Sequence, residues 1–145
     1  MILGRAKVFA GILFFGLITG ALGHAVCPVK VVVVKGQVNH APPDAKVRVE
    51  LTYPKNQGSD SAEMTLDSER FSIPVEFLTQ SRRPVLIGSL REKCDRRPET
   101  VVVTLLGSNP PQEYDRVSLD LSKDFKIADP SAYNLRSEIV LNGPQ

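Results

Sequence analysis

The sequence predicts an all-β sandwich of about seven or eight short strands. Three observations carry that expectation. β-Branched residues gather in short runs, and several of these alternate apolar with polar at a period of two. Clusters of Pro, Gly, Asn and Asp separate the runs. Beyond residue 25 the helical period is nearly absent.

Residues 1–25 read as a cleavable secretory signal peptide. Arg5 and Lys7 form a positive n-region, and Val8 to Gly23 carries no charge. That uncharged stretch is roughly 16 residues, short of the ~20 a membrane-spanning helix needs. Small residues follow at Gly20, Ala21, Gly23 and Ala25, placing cleavage first after Ala25, with Gly23 as the competing position. Residues 26–145 then form one domain, with no membrane span after cleavage and a secreted destination.

Val29 to Val38 is too rich in valine for a helix and reads as a strand buried on both faces at its centre, with Gly36 marking a bulge. Asn39 to Asp44 is a turn. Ala45 to Tyr53 alternates, with Val47, Val49, Leu51 and Tyr53 facing inward. A loop follows from Pro54 to Asp60, then a short strand through Met64 and Leu66. Phe71, Ile73, Val75 and Phe77 define one face of the next strand, and Pro74 on its other face marks a sheet edge or bulge. Pro84 to Leu90 is an apolar strand, Arg91 to Pro98 a charged loop, and Thr100 to Leu106 a buried β-branched strand. After the turn Gly107 to Pro111, Val117, Leu119 and Leu121 alternate with polar residues. Ile139 and Leu141 close the series after an irregular segment around Asp129-Pro130-Ser131.

The leader holds two of the 18 basic residues and none of the 16 acidic ones, so residues 26–145 are formally neutral. A neutral, mixed-sign surface argues against nucleic-acid binding and against docking on anionic lipid. The two cysteines, Cys27 and Cys94, are expected to form a disulfide in an oxidising compartment. It would close a loop of roughly 68 residues and add on the order of 4 kcal/mol in the chain-entropy model. No Asn-x-Ser/Thr sequon occurs.

The stretches Val34-Lys35-Gly36-Gln37-Val38, Ala45 to Leu51, Arg70-Phe71-Ser72-Ile73 behind an acidic turn, Lys93-Cys94, Pro98 to Val103 and Tyr114 to Leu119 resemble the transthyretin-like secreted proteins. The similarity is one of strand pattern over roughly Val31 to Leu121, shared with other immunoglobulin-like or prealbumin-like sandwiches. The chain departs from it at Glu69-Arg70, where glycine is usual, and in placing a cysteine at Cys27. The resemblance implies an extracellular binding domain and no enzymatic activity.

The residues point the same way. His40 lies in a Pro-rich turn, and no Gly-x-Ser-x-Gly elbow, phosphate loop, EF-hand or zinc spacing occurs. The carboxylates Glu50, Asp60, Glu63, Asp67, Glu69 and Glu76 are scattered, and solvated surface is their default. No catalytic residue and no cofactor is assigned. Cleavage after Gly23 would free the α-amino group of His24, which with His40 could offer nitrogen ligands to copper. This defines the alternative of a secreted copper protein or small oxidase. The basic residues Arg82, Arg83, Arg91, Lys93, Arg96 and Arg97 form a solvated loop which, if functional, is an interaction patch. The reading is a secreted binding protein for an unidentified extracellular protein or ligand, effector-like or at the cell surface, with homodimerisation through a sheet edge compatible with the fold. A cell-wall or matrix component is a second alternative, although the chain has no Trp for sugar stacking.

Overall fold

The structure, a computed structural model, describes residues 27–81 and 94–145. The leader and the expected strand at Pro84 to Leu90 lie outside the described residues. Nine strands are described: β1 (Val29–Asn39), β2 (Lys46–Thr52), β3 (Ser59–Thr65), β4 (Arg70–Leu78), β5 (Thr100–Ser108), β6 (Pro111–Asp120), β7 (Phe125–Asp129), β8 (Ala132–Leu135) and β9 (Ile139–Asn142). They form two sheets, ordered β4-β1-β8-β7 and β3-β2-β5-β6. β9 also pairs with β1, so two short strands, β8 and β9, lie parallel to successive segments of β1. The chain is an all-β sandwich.

Alternation decides which residues build its interior. Val47, Val49 and Leu51 of β2 and Val101, Val103 and Leu105 of β5 are fully buried. They face Val32 and Val34 of β1 and Phe71, Ile73, Val75 and Phe77 of β4. In β1 only alternate valines are fully covered, and Val31 and Val33 are half-buried. The expectation of a strand buried on both faces is therefore corrected: its outward valines are only partly covered, and no described strand lies over them.

Gly36 marks no bulge either. Its register runs unbroken against Phe71 on one side and Ile139 on the other. A Cβ at this position would lie 2.5 Å from the Ile139 carbonyl oxygen and 2.7 Å from Cζ of Phe71. Glycine here lets β9 and the Phe71 ring close on β1. Gly36→Ala is expected to destabilise the fold by about 1–3 kcal/mol through overpacking, read as a lower denaturant midpoint at unchanged slope.

Other boundaries differ from the sequence reading, among them the turn after β5, which shrinks to Asn109-Pro110 because Ser108 pairs with Pro111. β3 begins at Ser59, because Ser59 and Asp60 continue the ladder opposite Thr52 and Leu51. Leu121 leaves the strand to anchor a one-turn helix, α1 (Leu121–Asp124), whose backbone is capped by the Asp120 carboxylate. β7 and β8, unforeseen in the sequence, flank the turn at Asp129 to Ser131.

Hydrogen bonding identifies which backbone groups face the free edges. The Val38 N–H donates to the Glu69 carbonyl at 2.7 Å and the Thr79 N–H to that of Pro28 at 3.3 Å. In an antiparallel pair such contacts recur at every second residue. The odd residues of β4 therefore bond to β1, and Arg70, Ser72, Pro74, Glu76 and Leu78 face outward. Pro74 sits mid-strand at an outward position, where its missing N–H costs no ladder bond and interrupts the edge. Among the described residues β4 is an outermost strand, as the sheet-edge alternative expected.

Candidate functional site

The site is one end of the sandwich, where β1 starts, β2 and β4 end, and Cys94 lies ahead of β5. Cys27 and Cys94 are disulfide-bonded, with their Cα atoms 5.4 Å apart. The bond ties the segment preceding β5 to the residue that leads into β1. Backbone bonds extend the tie: Thr79 donates from both its N–H and its hydroxyl to the Pro28 carbonyl, and the Arg96 N–H donates to the Thr79 carbonyl at 2.9 Å.

Arg96 then turns inward. Its side chain has no solvent exposure. Nη1 donates to Asp60 Oδ2 at 2.9 Å and to the Leu78 carbonyl at 3.1 Å, while Nε and Nη2 donate to the Gln57 carbonyl at 3.3 and 3.2 Å. The guanidinium lies 3.5 Å from the ring centroid of Tyr53, and the Tyr53 hydroxyl donates to the same Asp60 oxygen at 2.5 Å. A planar fork with five donors can reach the ends of β2, β3 and β4 at once, which a lysine could not. Arg96 is thus the clasp between the two sheets at this end.

This corrects two expectations. Arg96 is not part of an exposed basic patch, because its charge is consumed by partners inside the fold. Asp60 is not a free surface carboxylate, because it accepts from both Arg96 and Tyr53. Of the other basic residues singled out, Arg97 is exposed, and Arg82, Arg83, Arg91 and Lys93 lie outside the described residues, so only Arg96 and Arg97 are placed together. The partners Tyr53, Gln57 and Asp60 were missed. Their sole sequence signal is the inward position of Tyr53 at the end of an alternating strand.

Above the clasp opens a cleft of about 460 Å³, lined by residues that include Lys55, Asp95, Arg97, Glu99 and Asp120. Lys55 adopts a left-handed backbone there, φ 58°, a conformation that non-glycine residues seldom hold. Arg97 also approaches Tyr133, its guanidinium carbon 5.7 Å from the ring centroid, and Lys30 Nζ lies 5.8 Å from the same ring. The lining is therefore of mixed sign, with the cations Lys55 and Arg97 and the carboxylates Asp95, Glu99 and Asp120. The Ser122 hydroxyl and N–H and the Lys123 N–H, all donating to Asp120, hold its carboxyl below the usual carboxylate range. A carboxylate held in its ionised form is a poor proton acceptor near neutral pH.

His40 lies far from this cleft, exposed in the turn after β1 with φ 55°. Its copper partner in the alternative reading, His24, is outside the described residues. Among the described residues no three His, Cys, Asp or Glu side chains are grouped to hold a metal ion, and no helix is long and apolar enough to cross a membrane. No family model matches the chain, and no curated protein or solved structure matches it.

Proposed function

We propose that this chain is an exported, non-enzymatic binding module that engages an extracellular protein or ligand through the disulfide-anchored end of its sandwich. The observation that carries the reading is the Arg96 clasp. A buried guanidinium fixes both sheets beneath the mixed-charge cleft, so the residues around it are presented on a preorganised support, which lowers the ordering cost of binding. A disulfide fits an oxidising compartment, and the leader at residues 1–25 supplies the route to it. The transthyretin-like strand pattern points the same way. Cations and carboxylates together in the lining of the cleft suit a partner with complementary charges of both signs, and disfavour a simple polyanion.

The test uses the oxidised chain as bait for surface and extracellular proteins of its source cells. Reversing two rim charges with Lys55→Glu and Arg97→Glu is expected to weaken capture by ~10-fold or more. Lys126→Glu, on the exposed strand β7, is expected to leave it unchanged. Capture indifferent to the rim reversal would overturn this reading.

A further inference from the structure

Among the described residues, three of the four outermost strands carry devices that discourage further pairing. β4 has Pro74 at an outward-facing position. β6 has a register shift opposite Leu105/Leu106, and its Asp115 carboxylate accepts from the Asn142 N–H of β9 at 2.8 Å. β7 has a register shift between Ile127 and Asp129. β3 has neither. Its seven residues run in unbroken register against β2. The Leu66 N–H donates to the Ala45 carbonyl at 2.9 Å, which sets the even residues of β3 against β2. The backbone groups of Ser59, Ser61, Glu63 and Thr65 therefore face outward, and no other described backbone group bonds to them.

We propose that a second copy of this chain pairs with β3, antiparallel about a two-fold axis at Ala62, joining two four-stranded sheets into one of eight strands. The inference stands apart from the cleft and does not depend on it. Since the outward groups belong to odd-numbered residues, only registers that oppose odd with odd complete the ladder. Centring on Ala62 sets Ser59 against Thr65 of the second copy and Ser61 against its Glu63, so all four outward residues are used. Centring on Glu63 opposes two like charges, and centring on Ser61 leaves Thr65 unpaired.

The side chains agree with that register. At the axis Ala62 meets its own copy as a non-hydrogen-bonded pair, where Cα atoms approach to about 4.5 Å and a small residue fits. On the same face Met64, half-buried at the rim of the core, gains cover. On the outer face Glu63 is already paired with Arg48 at 2.5 Å, so an uncharged serine is a suitable neighbour. Isologous two-fold pairing of this kind closes on itself and needs no further copies.

The experiment is light scattering on the oxidised chain across a concentration series. The unmodified chain is expected to have the mass of a dimer. Ser61→Pro removes an outward N–H and no bond to β2, and is expected to halve that mass. Ser72→Pro makes the same change at the edge of β4 and is expected to leave the dimer intact. Ala62→Cys reads the register without relying on the fold of the proline variant. A cysteine at the axis should form an intermolecular disulfide, because Cα separations of about 4.4–6.8 Å permit one, whereas Ser72→Cys should form none. A chain that stays monomeric throughout, a folded Ser61→Pro variant that remains dimeric, or a dimer that Ala62→Cys fails to cross-link would overturn the proposal.

Discussion

Replacing Arg96 by methionine is expected to destabilise the fold by about 3–5 kcal/mol, the range seen when one partner of a buried charge pair is removed. The substitution keeps most of the apolar stem and deletes all five donors. The Gln57 and Leu78 carbonyls lose the Arg96 donors, and the Asp60 carboxylate, only 23% exposed, loses the Arg96 guanidinium. Tyr53 keeps its bond to Asp60 but loses the guanidinium stacked on its face. Tyr53→Phe separates these contributions: it retains the stack, removes one hydroxyl bond, and should cost about 1 kcal/mol. Denaturant midpoints measured with the disulfide intact decide the matter. Equal costs for Arg96→Met and Tyr53→Phe would mean that the guanidinium is not the clasp.

Opening the disulfide is the second large effect. Converting Cys27 and Cys94 to alanine together is expected to cost about 2–5 kcal/mol. The bond spans 67 residues, so its removal returns a long loop's freedom to the unfolded chain. It also frees the segment that carries Arg96, which lies two positions after Cys94. The two perturbations share one element and should therefore couple: Arg96→Met in the cysteine-free chain should cost less than it does in the bridged one. Strict additivity would show that the clasp closes without the bridge. Chemical denaturation of the four chains, single and combined, measures the cycle.

How much of this was legible depended on whether local pattern or distant partners decide an element. β2, β4 and β5 were readable because each has one face against the core, and a period of two writes that face into the sequence. Pro74 was readable as an edge residue because proline lacks the donor an inner strand needs. β7 was not: only Phe125 is buried, and Lys126 to Asp129 are exposed, so no apolar period exists to be seen. β3 was shortened for a similar reason, since its Ser59-Asp60 start is polar and resembles a loop.

The site was the least readable part. Cys27 and Cys94 were legible as a pair because two thiols behind a sequence that reads as an export leader have few other expected uses. Arg96 sits in a run of alternating charges that resembles a solvated loop. What buries it are groups 18 to 39 residues earlier, at Leu78, Asp60 and Gln57, and nothing local records their convergence. The exposed neighbour, Arg97, has the same side chain and a different fate, decided by the direction it leaves the backbone.

The most direct test of the account is the intact mass of the chain recovered outside its source cells, measured with alkylation before and after reduction. The account predicts a chain beginning at Val26 that takes up no label until it is reduced, and two labels afterwards. Thiols that label in the native protein, or a chain that begins at His24 and carries a bound copper ion, would contradict it.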